Sequence, residues 1–357
     1  MVVAAGGTAG HVVPAIAVAD ELRASGAEVS FLGTRERAEA ELVPAAGYEI
    51  DFIKVRGLDR RNPLRAARAG LEALAAVGAA RKVLRQRGAD VVMGGGGFVA
   101  GPAGLAAILG RVPLVLTEAD SHMGLANRLL AKRARRVCLA FPIAGRAGGR
   151  YELTGRPVPA GVVGADRAAA RERLGIPEGT RCLMVFGGSQ GARSINFAAV
   201  EAFAERPGRE FRVIHLSGTR DHEELAARLA AAPYKEGYSL SPYEPDFGAV
   251  LAASDLVLGR SGGSVFEVTA AGRPSILVPY PHATGDHQAA NAEWMREQGA
   301  ASVIADAELD AERLAREVGD LFADPDRLQA MAEAARRIAK PDAARRIADC
   351  VLEVGRG

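Results

Sequence analysis

The chain has 357 residues, 48% of them hydrophobic and 25% charged, which fits a soluble globular protein long enough for two domains. No apolar run approaches the roughly 20 residues that span a bilayer, and the first residues lack the basic segment and cleavage site of a signal peptide, so we expect a cytoplasmic protein. Three scattered cysteines, Cys138, Cys182 and Cys350, exclude a disulfide framework and a paired-cysteine metal site, and they predict buried, reduced thiols.

The net charge of +2 is unevenly distributed along the chain. Residues 1–160 contain 22 Lys or Arg against 14 Asp or Glu, whereas the remainder contains 23 against 29. The bias is strongest from Lys54 to Arg87, where ten basic residues are interleaved with leucine and valine. This pattern predicts either an amphipathic helix on an anionic membrane face or a solvated helix that packs on a core.

Short apolar runs alternate with helical patterns, which is typical of parallel sheets covered by helices. The runs predicted to be strands are 2–5, 29–32, 91–93, 112–116 and 137–141, and then 182–186, 212–216, 256–258, 275–279 and 301–304. Between the two sets, prolines and glycines in 153–164 are expected to interrupt regular structure. We therefore predict an α/β fold with two Rossmann-like domains, 1–157 and 164–340, joined by a linker at 158–163, with ligands in a cleft at the carboxyl ends of the strands.

Glycine-rich loops follow four of the predicted strands, at 6–10, 94–97, 187–191 and 261–264. Glycine lets backbone N–H groups approach an anion closely, and a helix that begins there adds partial positive charge, so these loops predict phosphate ligands. Pro14 falls in the predicted first turn of the helix after the first loop, with His11 at the junction between loop and helix. His11 is a candidate general base or oxyanion partner, or alternatively a capping or packing histidine.

Two further features concern nucleotide binding. Residues 5–10 read A-x-G-x-x-G, but the second strand ends in Leu32-Gly33-Thr34 without the acidic residue that binds an adenosine ribose, which disfavours a dehydrogenase. In the second half, Ser189 and Arg193 follow a strand and glycines, and Glu267 follows the last glycine loop. A carboxylate there can accept two hydrogen bonds from a ribose diol or interact with the helix dipole, and the first possibility favours a nucleotide in the second domain.

Five segments together resemble the MurG family of bacterial glycosyltransferases: GGTAGH (6–11), GGGGFVAGP (94–102), GGSQGARSIN (187–196), RSGGSVFE (260–267) and VPYPHATGDHQAANA (278–292). The resemblance implies a GT-B fold and inverting transfer of N-acetylglucosamine (GlcNAc) from UDP-GlcNAc to the C4 hydroxyl of lipid I, the undecaprenyl-diphosphate-linked N-acetylmuramyl-pentapeptide of peptidoglycan biosynthesis. It implies acceptor binding by the first domain, donor binding by the second, a peripheral position on the cytoplasmic membrane face, and a last helix within 341–357 that returns to the first domain. A metal on the diphosphate is not expected, since no Asp-x-Asp pair ends a strand near the nucleotide loops. No cofactor and no nucleic-acid partner are expected either.

Matched motif by motif, the resemblance also implies roles for individual residues. Ser189 would contact a donor phosphate, Glu267 the ribose and Gln288 the sugar hydroxyls, while Tyr243 and Glu244 fall in the segment that flanks uracil. The full donor set is Thr8, Ala9, Gly10, Asp120, Arg156, Ser189, Glu244, Gly263, Ser264, Glu267 and Gln288. The acceptor diphosphate would be bound by Gly7, Gly10, Gly95, Gly96 and Gly97. The candidate bases, in order, are His11, Glu118 and Asp120.

The chain departs from the family pattern at four places, one of which is the loop before Glu267, one residue shorter than in many members. Ala9 replaces a glycine, Asp120 stands where an amide is usual, and the linker arginine is Arg156, three positions before its usual place at Pro159. Three other functions stay open: a glycosyltransferase of the same fold with another acceptor, a UDP-sugar epimerase, and a non-catalytic scaffold that binds lipid or nucleotide.

Overall fold

The computed structural model describes residues 1–55, 63–188 and 190–356, apart from the side chains of 63–71, 73 and 284. The chain divides into two compact units. The first comprises Met1–Val158 together with the C-terminal segment from Lys340, and the second comprises Pro159–Ala339. Within the described ranges, no helix is both long enough and apolar enough to cross a bilayer.

In the first unit, the described strands form a seven-stranded parallel sheet in the order β3-β2-β1-β4-β5-β6-β7. These strands are β1 (Val2–Ala4), β2 (Ser30–Gly33), β3 (Glu49–Phe52), β4 (Val92–Gly94), β5 (Leu114–Glu118), β6 (Arg136–Leu139) and β7 (Tyr151–Leu153). The helices are α1 (Ala9–Ala24), α2 (Glu39–Ala45), α3 (Pro63–Gln86), α4 (Gly97–Gly110), α5 (Leu125–Leu130) and the C-terminal helix (Ala343–Arg356).

Each face of this sheet is buried under helices because successive side chains of a strand point to opposite faces. Val2 and Ala4 belong to a core shared with α3 and α4, whereas Val3 and Ala5 belong to a core shared with α1 and the C-terminal helix. Burial on both faces explains why the central strands read as continuous apolar runs.

In the second unit, the described strands form a six-stranded parallel sheet in the order β10-β9-β8-β11-β12-β13. These strands are β8 (Cys182–Phe186), β9 (Arg212–Leu216), β10 (Tyr238–Ser241), β11 (Leu256–Gly259), β12 (Ser275–Leu277) and β13 (Ala301–Val303). The helices are α6 (Ala160–Val163), α7 (Arg167–Arg173), α8 (Arg193–Val200, extended by a π-helical turn Glu201–Glu205), α9 (His222–Ala231), α10 (Phe247–Ala253), α11 (Val265–Ala270), α12 (His287–Glu297), α13 (Ala311–Ala323) and α14 (Pro325–Ile338), with 3-10 turns at Thr284–Asp286 and Asp306–Glu308.

The predicted α/β fold with two Rossmann-like sheets is confirmed, and each of the ten predicted runs overlaps a strand. Two local expectations were wrong. The segment 153–164 contains the short helix α6, which packs on α10. Helix α1 begins at Ala9, so Pro14 lies inside the helix rather than in its first turn, and His11 lies within that first turn.

The basic segment from Lys54 to Arg87 is described only in part. The side chains of Arg56, Arg60, Arg61, Arg65 and Arg68 lie outside the described residues. In the described C-terminal part of α3, Ala76, Val77, Ala80 and Leu84 are buried, while Lys82 and Arg85 are exposed. This part of α3 is therefore a solvated helix that packs on a core.

Candidate active site

His11 lies in the first turn of α1, over the glycine loop that follows β4. A β-carbon at Gly96 would lie 2.6 Å from His11 Cδ2, and Gly96 has a φ of 98°, so glycine is needed for the imidazole to approach this loop. His11 Nδ1 lies 3.3 Å from Thr8 Oγ1. Burial lowers the pKa of His11 from its ordinary value of 6.5, and the positive charge of Arg156 lowers it further, with Asp120 and Glu39 opposing. The imidazole is therefore neutral at pH 7 and able to accept a proton.

Arg156 is placed beside His11 by a backbone carbonyl that proline leaves free. Pro14 has no N–H, so it cannot donate to the carbonyl of Gly10, its partner four residues earlier in the helix. The guanidinium of Arg156 donates to that carbonyl instead. The interior proline and the position of Arg156 thus have one physical explanation, since the arginine satisfies the acceptor that the proline cannot.

Glu39 is a completely buried carboxylate beneath the first glycine loop. Its Oε2 accepts the N–H of Gly7 at 2.9 Å, and its Oε1 accepts the N–H of Thr34 at 2.9 Å and the Thr34 hydroxyl at 2.6 Å. Burial raises the pKa of Glu39, but the hydrogen bonds from Thr34, its own N–H and Gly7 outweigh burial and leave the pKa lowered. A β-carbon at Gly6 or Gly33 would lie 2.5 or 2.6 Å from the Glu39 side chain, so both glycines make room for it.

The backbone surroundings separate four of the five glycines that were expected to bind the acceptor diphosphate into two groups. The N–H of Gly7 is used by Glu39, and the N–H of Gly95 donates to the carbonyl of Ala4 at 2.9 Å. Gly10 and Gly97 lie in the first turns of α1 and α4, where N–H groups have no acceptor within the helix. The geometry therefore favours these helix N-termini over the amides of Gly7 and Gly95 as phosphate donors.

Glu118 and Asp120, the other candidate bases, have different surroundings. Glu118 is buried and accepts the N–H of Gly124 at 2.9 Å and the side-chain amide of Asn127 at 3.0 Å through Oε2, and the N–H of Asp120 at 3.3 Å through Oε1. Burial raises its pKa despite these bonds. Its carboxylate therefore fixes the loop that carries Asp120, whereas Asp120 is partly exposed and close enough to His11 to affect the pKa of that ring.

One small cavity of about 30 Å³ brings several predicted residues together. Its lining includes Gly10, His11, Gly95, Glu118 and Arg156. No cluster of three metal-binding side chains was found among the described residues.

In the second unit, the glycine loop after β8 packs against the loop after β9, backbone on backbone. A β-carbon at Gly191 would lie 2.1 Å from the carbonyl oxygen of Ser217, and one at Gly218 would lie 2.2 Å from the nitrogen of Gly191. Both glycines have positive φ, 78° and 73°. Ser189, in the same loop, lies outside the described residues.

A buried chain of hydrogen bonds supports these two loops from below. The side-chain amide of Asn196 donates to the carbonyl of Ser217 at 2.9 Å, so Asn196 Oδ1 accepts from His215 Nε2 at 3.0 Å. His215 Nδ1 then accepts the hydroxyl proton of Tyr238 at 2.8 Å. Burial, with a smaller contribution from His222, lowers the pKa of His215 to about 3, so this histidine stays neutral and structural.

Gln288, predicted to bind sugar hydroxyls, lies in the first turn of α12. Its Oε1 accepts the N–H of Tyr280 at 3.0 Å, and its carbonyl accepts the Ser261 hydroxyl at 2.7 Å. The Asn291 amide donates to the Ser261 carbonyl at 2.9 Å. With Oε1 bonded to Tyr280, Gln288 Nε2 lies beside Gly262, where a β-carbon would be 3.7 Å away. Gly263 and Ser264 continue this loop into α11, whose first turn carries Glu267.

The other predicted residues of the second unit differ in exposure and in whether other side chains already engage them. Tyr243 is 67% exposed, while Glu244 accepts the N–H of Asp246 at 3.0 Å and lies 3.6 Å from Arg173. Arg193 pairs with Asp221 at 3.1 Å and Glu224 at 2.8 Å, so acidic side chains already engage its charge.

Sequence reasoning missed the supporting residues Glu39, Asn127, Asn196 and His215. Asn196 ends a recognised segment, GGSQGARSIN, so its position was available as a signal although no role was assigned. The other three lie outside the recognised segments, and partners such as Gly7 for Glu39 and Tyr238 for His215 are brought to them only by the fold.

Two α/β units, each built on a parallel sheet with glycine loops and helix N-termini after its central strands, define a glycosyltransferase of the GT-B class. Two family models match the chain, the glycosyltransferase family 28 N-terminal domain over residues 1–139 and the C-terminal domain over 182–347. The chain therefore belongs to glycosyltransferase family 28.

Curated relatives match over the whole chain. The chain is 42% identical to the UDP-N-acetylglucosamine–N-acetylmuramyl-(pentapeptide) pyrophosphoryl-undecaprenol N-acetylglucosamine transferase of Nitrosococcus oceani, covering 100% of this chain and 99% of the relative. It is 39% identical to the enzyme of the same name from Halorhodospira halophila, covering 99% and 98%. The resemblance to the MurG family is confirmed.

Solved structures support the same family and fold. The crystal structure of Acinetobacter baumannii MurG superposes with a TM-score of 0.79 at 30% identity and covers 99% of both chains. The UDP-GlcNAc 2-epimerase of Neisseria meningitidis superposes with a TM-score of 0.64 at 13% identity, covering 99% of each chain, and this likeness shows the fold alone.

Proposed function

We propose that the protein transfers GlcNAc from UDP-GlcNAc to the C4 hydroxyl of undecaprenyl-diphosphate-linked N-acetylmuramyl-pentapeptide, with inversion at the anomeric carbon. The observation that carries this proposal is the 42% identity, over the full length of both chains, to a relative named for this transfer. The first unit would bind the acceptor and the second unit the nucleotide sugar.

His11 is proposed as the general base. With Nδ1 protonated and donating to Thr8 Oγ1, Nε2 has a free electron pair that can accept the C4 hydroxyl proton as that oxygen attacks the sugar. Burial and Arg156 keep the ring neutral beforehand, and the nearby carboxylate of Asp120 stabilises the imidazolium that forms. General base assistance of this kind is worth about 10² to 10⁴ in rate.

The departing UDP needs donors for the charge that develops on its diphosphate. The N-termini of α8 and α11, which follow glycine loops, supply N–H groups and a positive dipole end, and Ser189 would add a hydroxyl. Glu267 would accept from the ribose diol and the Gln288 amide would donate to a GlcNAc hydroxyl. The donor contacts of Thr8, Ala9, Gly10, Asp120, Arg156, Glu244, Gly263 and Ser264 belong to the same proposal.

A peripheral site on an anionic membrane face belongs to the proposal as well. Helices α4 and α5 pack together and expose a leucine patch made of Leu105, Leu109, Leu125 and Leu129. The exposed cations Arg128, Lys132 and Arg133 lie in and directly after α5. Apolar side chains with adjacent cations suit insertion among acidic headgroups.

A transfer assay tests the proposed reaction. Radiolabelled UDP-GlcNAc with a short-chain lipid I analogue should give labelled acceptor and one UDP per sugar transferred. Release of UDP with an altered free sugar, in the absence of acceptor, would identify an epimerase and contradict the proposal. Binding of UDP-GlcNAc with no turnover on any acceptor would identify a scaffold.

A further inference from the structure

A cavity of about 900 Å³ opens in the first unit at the ends of β1, β2 and β3. Three segments form most of its wall: the loop after β2 (Thr34–Arg37), the end of β3 with the residues that follow (Phe52–Val55), and the first turn of α4 at Phe98 and Val99. Gly7, in the loop that leads into the helix carrying His11, also lines it. Its size is within the range of ligand-binding pockets.

The cavity is lined by three cations and by three carboxylates, Glu36, Glu39 and Glu72. Arg35, Arg37 and Lys54 are exposed, and none of the three forms an ion pair or a side-chain hydrogen bond with the part of the chain that the structure describes. The Arg35 guanidinium stacks 4.6 Å from the centre of the Phe52 ring, which orients its charge along the wall. Of the three carboxylates, Glu39 is committed to hydrogen bonds from Gly7 and Thr34.

The same cavity has an apolar side. Phe98 is 52% exposed at its edge, while Ile53 and Val99 are buried in its wall. A polyprenyl chain would have to desolvate the charged groups of the rim, which costs free energy that apolar contacts do not return. A short peptide satisfies both kinds of surface, because its carboxylates can pair with the cations and its side chains can cover the rings.

We propose that this cavity binds the stem peptide of the acceptor, with Arg37 and Lys54 pairing with its carboxylates. This inference rests on the proposed function, in which the acceptor is a muramyl-pentapeptide. A pentapeptide attached through its N-terminus carries at least a C-terminal carboxylate. On the muramyl ring, the peptide branch leaves from C3, the neighbour of the C4 hydroxyl that would face His11. The loop that precedes the helix of His11 also reaches the cavity through Gly7.

The test combines protein variants with matched acceptors. One soluble lipid I analogue has a free peptide C-terminus, and a second differs only in a C-terminal carboxamide. The double variant Arg37→Gln/Lys54→Gln is compared with the control Arg345→Gln/Lys82→Gln, which removes an exposed arginine and an exposed lysine of the same unit from outside the cavity. Initial rates give kcat and KM for each acceptor and for UDP-GlcNAc, and circular dichroism checks folding.

The expected result is a loss of about tenfold in kcat/KM for the carboxylate acceptor in the cavity variant, since partly exposed charge pairs are worth modest free energies each. The amidated acceptor should lose less than about twofold, the KM for UDP-GlcNAc should not change, and the control should match the wild type. Equal losses with both acceptors, or no loss with either, would overturn the peptide site while leaving the transferase function intact. A loss of kcat/KM that depends on the length of the prenyl chain would assign the cavity to the lipid tail and would also overturn the peptide site. No transfer by the wild type to either acceptor would instead refute the proposed function, and this site with it.

Discussion

Replacing Glu39 by glutamine should loosen the first glycine loop while preserving the shape of the side chain. Glu39 accepts three hydrogen bonds in the wild type, one from Gly7 and two from Thr34. The amide oxygen of the variant can keep the two donors of Thr34, but its nitrogen then faces the N–H of Gly7, donor against donor. The variant therefore loses one bond to a charged acceptor and the charge assistance of the other two.

The size of the effect follows from those contacts. A hydrogen bond to a charged group contributes about 1.5–3 kcal/mol, and a buried donor left unpaired costs about 1–3 kcal/mol. We expect a loss of about 2–4 kcal/mol, a large part of the 5–15 kcal/mol that separates folded from unfolded domains. The KM for the acceptor should rise, because the loop of Gly7 leads directly into the helix turn that carries His11, and the KM for the donor should not change.

The pH dependence of this loss has a definite sign. The pKa of Glu39 is lowered below its ordinary 4.5, so its ionised form stabilises the folded state above that pH. This contribution disappears as the pH falls through the folded pKa. The stability difference between wild type and Glu39→Gln should therefore be largest near pH 7 and shrink in acid.

Hydrogen exchange followed by mass spectrometry measures the loosening directly. Peptides that contain residues 6–11 should exchange faster in Glu39→Gln, and urea or thermal unfolding should shift to milder conditions. Glu41→Gln, an exposed residue of the same helix, is the matched control. If Glu39→Gln exchanged and unfolded like the wild type, the conclusion that this carboxylate holds the loop would be refuted.

Four further results are expected. His11→Ala should lower kcat by a factor of about 10² to 10⁴ and leave the KM for the donor nearly unchanged. Full turnover by this variant would contradict the assignment of His11 as the base. Arg156→Gln should move the acid limb of the pH profile of kcat to higher pH, because a cation that lowers the pKa of His11 is removed. Asn196→Leu should weaken UDP binding, measured by calorimetry, and leave the KM for the acceptor unchanged, since the loops after β8 and β9 lose the hydrogen bonds that support both. Unchanged affinity for UDP would show that this network does not position the donor loops. Leu109→Glu/Leu129→Glu should reduce sedimentation with acidic vesicles and leave transfer to short-chain acceptors intact, and equal sedimentation would exclude the leucine patch as the membrane contact.

The strands that sequence reasoning missed share one physical property. β3, β7 and β10 all lie at the edges of their sheets. Edge strands have one unpaired side and are less covered, so their residues, such as those of Glu49–Phe52, are partly exposed and partly polar. The central strands are buried on both faces and had to be apolar throughout, which made them readable.

The residues of the candidate site also differ in how readily the sequence reveals them. Glycine loops and helix N-termini were predictable, because phosphate binding needs them contiguous in the sequence. Buried polar supports were not, since Glu39 acts on Gly7 across 32 residues and His215 acts on Asn196 across 19. Such residues are polar side chains in otherwise ordinary segments, and only the fold supplies their partners.

Arg156 shows how a departure from a family pattern can follow from geometry. The arginine stands three positions before its usual place, and a comparison of motifs gives no reason for the shift. In the structure it donates to the carbonyl of Gly10, 146 residues earlier, which is the acceptor that Pro14 cannot satisfy. The guanidinium held there also lowers the pKa of His11. One contact therefore satisfies the free carbonyl of the helix and keeps the proposed base unprotonated. A substitution of Pro14 by alanine would supply the missing N–H to Gly10 and compete with Arg156, which makes the proline part of the electrostatics of the site.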